Sequence, residues 1–165
     1  MDSYSSGNQT TTVTPLVPFP ARASTFALWG SLVGIAFFSI YPTTNWLTAL
    51  SSKHYSLFLE VELRLPFVPE FIWLYLSMYG LFILPPFFLD PVELKRLAKE
   101  LISSTCVSGI TFLLLPAKLG FPRMLPDDEF YRSIFQGLFL VDQPHNLVPS
   151  LHVIYSTTIS LALIA

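Results

Sequence analysis

The run "TFALWGSLVGIAFFSIYP", from Thr25 to Pro42, holds 18 residues without one charge. As a helix rising 1.5 Å per residue it is about 27 Å long, close to the ~30 Å hydrocarbon core of a bilayer. That stretch narrows the choice to a membrane crossing or a helix buried all round. Composition favours the crossing. Only 12% of the 165 residues are charged, against 52% hydrophobic and 15% aromatic, and mean hydropathy is +0.57. A soluble domain typically draws roughly a quarter of its residues from Asp, Glu, Lys and Arg. Trp29 and Tyr41 stand near the ends of the run as interface anchors. The expected fold class is an all-α membrane protein.

Residues 1–24 read differently. They are rich in Ser, Thr and Pro, with an early acid and no basic cluster ahead of an apolar stretch. That suits a disordered polar tail rather than a signal peptide, and leaves residues 25–165 as one membrane domain. Asn8-Gln9-Thr10 matches the glycosylation pattern, which matters if the tail is lumenal. After the first span, "SSKHYSLFLEVELRLPF" sets Leu57, Phe58, Val61 and Leu65 at helical spacing, with Lys53, Glu60 and Arg64 off that stripe. This predicts a short helix lying in the interface.

Pro66 to Leu89 is the expected second span, ended by Pro85-Pro86. Glu70, its single charge, suits a carboxylate reaching the head groups, with a catalytic carboxylate as the alternative. "DPVELKRLAKE" follows as a charged connector, and Leu101 to Pro116 is the third span, with Ser, Thr and Gly for close helix packing. A loop of roughly 35 residues runs from Ala117 to Ser150, longer than a simple connector. Its apolar piece "IFQGLFLV" suggests an interfacial segment. His152 to Ala165 starts a fourth apolar helix whose 14 residues are too few to cross. The expectation is three complete transmembrane helices, an incomplete fourth and interfacial helices.

Charge sets limits on partners and topology. A net charge of −2 provides no basic field for nucleic acid. Cys106 stands alone and forms no internal disulfide. Arg22, Lys95, Arg96 and Lys99 fall on one membrane face and the other five basic residues on the opposite face. The dense triplet at 95–99 leans that face toward the cytoplasm. The histidine-bearing loop is then extracytoplasmic or lumenal.

The chemistry concentrates at "DQPHNLVPSLHV", Asp142 to Val153. Ser150 is a plausible helix N-cap, and a helix start offers free N–H groups and a positive dipole end to phosphate. His152 projects from the first turn, where it is able to protonate a departing alkoxide or orient an oxyanion. The same residues read equally as a Pro-Ser cap beside an interfacial histidine. Asp142 and Asn146 fit a role in ordering the loop through hydrogen bonds, with contact to a polyol head group as the alternative. A metal site built from His54, His145 and His152 lacks a Cys, Asp or Glu at ligand-like spacing, so no metal is expected.

This stretch resembles the second motif of the type 2 phosphatidic acid phosphatase superfamily, which includes the vanadium haloperoxidases. It is most similar to the branch of inositol phosphorylceramide synthases and inositolphosphotransferase-like proteins, in which an Asn precedes "PSLH". Pro66-Phe67-Val68-Pro69 resembles an upstream element of the same branch. The resemblance covers residues 30–165 and implies a partial six-helix bundle that works without metal or cofactor. It implies that Ser150 binds phosphate and that His152 protonates the leaving group, with His145 ordering the loop. Its first motif falls on "AKLGFPRMLP", where Lys118 and Arg123 are five apart and Met124 stands in place of a proline. Arg123, with Lys118, is the implied phosphate clamp; an interfacial arginine paired with the acidic run at Asp127-Asp128-Glu129 is the alternative.

The family's third motif, Ser-Arg followed by a nucleophilic histidine, does not occur in these 165 residues. The expectation is the front part of a longer lipid phosphatase or phosphoryl-headgroup transferase, inactive as this chain alone. The substrate implied is a phospholipid or sphingolipid phosphate, with protein partner and oligomer left open. The alternative is a non-catalytic membrane protein that binds a lipid head group or a partner.

Overall fold

A computed structural model describes residues 17–141 and 144–165, and among these all regular structure is helical. Helix α1, Phe19–Ala49, is followed by single 3-10 turns at Glu62–Arg64 and Pro69–Phe71. Then come α2, Ile72–Leu81; α3, Pro85–Phe88; α4, Pro91–Leu114; α5, Glu129–Val141; and α6, Leu151–Ile164. Two of them, α1 and α4, are long and apolar enough to cross a membrane.

The boundaries differ from the expected ones for local reasons. Pro20 occupies the first turn of α1, where a missing N–H costs nothing, so the helix starts at Phe19 and takes in residues 19–24 of the expected tail. It also runs through Pro42 to Ala49. The charged connector is helix as well. Asp90 caps α4, its carboxylate accepting from the N–H groups of Val92 (2.7 Å) and Glu93 (2.8 Å), while Glu93 accepts from the N–H of Asp90 (2.8 Å). This capping box starts the helix at Pro91, ten residues before the expected start of the third span.

Two expected elements are not as drawn. The interfacial helix over Leu57–Leu65 is absent; that segment is irregular apart from its one 3-10 turn. The expected second span is broken, with only ten residues in α2, a turn, and four in α3. Pro85 and Pro86 lack the N–H groups that would continue α2, so the ladder restarts at α3. The apolar piece of the long loop, expected to lie in the interface, is part of helix α5, whose Phe130 and Phe135 meet Trp73 and Phe67 across 6.2 and 5.3 Å between ring centroids.

The core lies between α1, α4 and α6. Val33, Leu94, Leu97, Leu101, Phe112 and Ile159 are buried there. On α4, Thr105, Ser108, Gly109 and Phe112 are buried at helical spacing; Gly109 and Phe112 meet Ile40 and Tyr41 of α1, and Thr105 meets Tyr155 of α6. A Cβ at Gly109 would lie 2.5 Å from Cγ2 of Ile40, so only glycine permits this approach.

Candidate functional site

Three chain segments meet beyond the C-terminal end of α1. The N–H of Tyr55 donates to Pro116 O (2.8 Å), and Tyr55 O accepts from the N–H of Lys118 (2.8 Å). The N–H of Ala117 donates to His145 O (3.1 Å), which joins the segment leading into α6 to the same knot. His54 and His145 pack ring to ring, 4.7 Å between centroids. Each also sets a ring nitrogen against a backbone carbonyl: His54 Nε2 on Thr48 O at 3.1 Å, His145 Nδ1 on Ala117 O at 3.4 Å.

Asn146 locks that knot to α1. It is buried, and its Nδ2 donates to Tyr41 O (3.0 Å) and to Thr44 Oγ1 (2.9 Å). Thr48 Oγ1 lies 3.4 Å from its Oδ1. Asn146 therefore orders the loop through α1, a hundred residues away in sequence, rather than through the loop's own backbone. Asp142, the other expected loop-ordering residue, lies outside the described residues.

Past Asn146 the chain turns through a cis Val148–Pro149 bond into α6. Ser150 is its N-cap, with the Oγ 3.5 Å from the N–H of Val153 and the carbonyl accepting from the N–H of Ile154 at 3.0 Å. His152 follows in the first turn. Its ring lies 4.2 Å from that of Tyr75 on α2, tilted by 34°. One turn on, Ser156 Oγ donates to His152 O (2.7 Å), and Tyr155 hydrogen-bonds Thr105 of α4.

Asn146, Ser150 and His152 open on one cavity of about 430 Å³ between α1, α2 and α6. Its remaining wall is mostly apolar or aromatic, including Phe37, Phe38, Met78 and Phe82, with the hydroxyl-bearing rings of Tyr41, Tyr75 and Tyr79 among them. The volume falls within the range of small-molecule sites. A few polar groups gathered at one end of an apolar cavity suit a ligand with one polar end.

The expected phosphate clamp is elsewhere. Neither Lys118 nor Arg123 lines the cavity. Arg123 is exposed, donates from Nη1 to Phe139 O (2.9 Å) and sits 4.8 Å over the Phe139 ring, near the C-terminal end of α5 where carbonyls attract cations. Arg132 pairs with the acidic run, 3.9 Å from Asp127. Lys118 is exposed. Among the described residues no group of three or more His, Cys, Asp or Glu side chains is placed to hold a metal.

Sequence reading overlooked Tyr75 and the Tyr41–Thr44–Thr48 face. Both left a trace. Tyr75, Met78, Tyr79 and Phe82 recur at helical spacing, and "TTNWLT", residues 43–48, is a polar run inside an otherwise apolar helix. No family model, curated protein or solved structure matches this chain.

Proposed function

We propose that this is an integral membrane protein that holds a phosphate-bearing lipid in the cavity between α1, α2 and α6. The phosphate sits at the start of α6, on Ser150, His152 and the first free N–H groups of the helix, and the chain lies along the apolar wall. α1 and α4 cross the membrane, the broken α2–α3 segment makes a third crossing, and α6 enters from the extracytoplasmic or lumenal face. The supporting observation is the meeting of a capped helix N-terminus, a first-turn histidine and an apolar cavity at one point. The resemblance of Asn146 to His152 to the phosphatase motif points the same way.

A second reading is enzymatic, as a lipid phosphatase or headgroup transferase in which His152 protonates the departing oxygen. His152 is well placed for that role, with Tyr75 holding its ring. Its covalent form also needs a nucleophilic histidine. His54 and His145 are engaged with each other and with backbone carbonyls, which favours neither for that role.

The test is binding of a short-chain alkyl phosphate to the full chain in lipid nanodiscs. His152→Gln and Ser150→Ala each weaken it about tenfold, the scale of one charge-assisted hydrogen bond. Lys118→Ala leaves it unchanged. Equal affinity across all three variants and the parent would sink the proposal. Release of inorganic phosphate by the full chain would move the conclusion to the enzymatic reading.

A further inference from the structure

A second cavity, of about 420 Å³, lies between α1, α3, α4 and α6, and its wall is almost wholly apolar. It shares Gly30, Val33 and Phe82 with the first. The two are ordered alike along three separate elements. On α1 the second cavity begins at Phe26 and the first ends at Tyr41, with positions 26, 30, 33, 37 and 41 forming one stripe. On α6 the order runs from Ile159 back to His152, and along α2 and α3 from Pro85 back to Tyr75. At the joint no Cβ protrudes from Gly30, and one built there would meet nothing within 4 Å.

From Phe26 to Tyr41 is fifteen residues of helix, about 22 Å. One leaflet of a bilayer offers about 15 Å of hydrocarbon depth. Asn146, Ser150 and His152 line the slot at the α6 N-terminal end, whose partial positive charge complements an anionic head.

Building on the lipid-phosphate reading of the first cavity, we infer that the two cavities form one slot selecting a lipid phosphate whose chain is longer than a leaflet. The head group stays at Ser150 and His152, and the chain passes Gly30 to end between Phe26 and Leu97. Chain length is thus read by the second cavity, which a shorter lipid leaves unfilled. Each methylene that enters it adds affinity, and two or three of them make about tenfold.

The experiment uses two n-alkyl phosphates with a diazirine at the chain tip, one shorter than a leaflet and one reaching beyond it. Each is photolysed with the full chain in nanodiscs, and the labelled peptides are mapped. The short probe is expected to label the segment around Met78 and the long probe the segments around Phe26 and Leu97, both competed by unlabelled alkyl phosphate. Gly30→Leu, which fills the joint, is expected to abolish the long-probe labels and leave the short-probe label intact. If the long tip stays in the first cavity or emerges on the exposed face of α1 at Leu28 and Ile35, the slot is refuted while the head-group site stands. If neither probe labels a cavity wall, the lipid-phosphate reading fails with it. Long-probe labelling at Leu97 that persists in Gly30→Leu would mean independent binding in the second cavity, and it too overturns the single slot.

Discussion

The two faces of α1 are packed on opposite principles. Over its C-terminal half, toward the end of α4 and the loop before α6, it is closed. Thr44, Asn45 and Thr48 are buried, Gly109 lets Ile40 touch the α4 backbone, and Tyr41 meets Phe112 edge to face at 6.1 Å. Toward α2 and α6 it is open, and both Gly30 and Gly34 face space that a methyl group would not fill. Small residues occur on both faces with contrary results. Where a partner helix presses in, glycine permits contact; where none does, it leaves room. Asn146 sits where the two faces meet: its amide is bonded to Tyr41, Thr44 and Thr48 of α1, and it lines the cavity beside Ser150 and His152.

The largest expected effect breaks the closed face at its polar lock. Asn146→Asp replaces the amide that donates to Tyr41 O and Thr44 Oγ1 with an oxygen, so two acceptors confront one another in a buried site. The cost is on the order of 3 kcal/mol, because a buried carboxylate whose second oxygen faces a backbone carbonyl outweighs the loss of a neutral hydrogen bond. Chemical unfolding in detergent reads it as a shifted midpoint. A midpoint equal to that of the parent would show that Asn146 does not clamp the α6 loop onto α1.

Gly109→Leu attacks the same face through shape. Four added carbons have to displace Ile40 and Thr44, for about 2 kcal/mol of overpacking. The same assay measures it. Destabilisation below about 0.5 kcal/mol would mean that α1 and α4 yield easily, and the contrast between the faces would lose its closed half.

How much of this was legible in the sequence depends on the distance over which a residue finds its partner. Ser150 as a cap and His152 in the first turn were legible, because capping is decided within four residues. The interior of α1 was legible from its uncharged run, but its C-terminal end was not. Thr44 and Asn45 look like a helix stop after Pro42, yet Thr44 is buried against Asn146 from 102 residues away and α1 continues to Ala49. Hydropathy marked the apolar part of α4 but missed its start, since the Asp90–Glu93 capping box makes helix of a charged stretch. The stripe at Leu57, Phe58, Val61 and Leu65 had helical spacing without a helix. Tyr55 pairs with Pro116 and Lys118 there instead, and the backbone is drawn into the knot. Arg123 was matched to phosphate through the family's first motif and its guanidinium, whereas its position against the carbonyl and ring of Phe139 depends on α5, sixteen residues on.

The smallest expected effect is the sharpest test of the open face, because its sign differs from that at Gly109. A glycine within a helix costs roughly 0.5–1 kcal/mol relative to alanine through backbone entropy. At Gly30 nothing lies within 4 Å of the added methyl, so Gly30→Ala should recover that amount and raise the unfolding midpoint. At Gly109 the same change meets Ile40 Cγ2 at 2.5 Å, and the β-branched isoleucine is stiff, so Gly109→Ala should lower the midpoint. If both substitutions stabilise, the α1–α4 contact relaxes without cost. If both destabilise, the space beside Gly30 is occupied in the membrane, and the open face of α1 is covered by something a single methyl group disturbs.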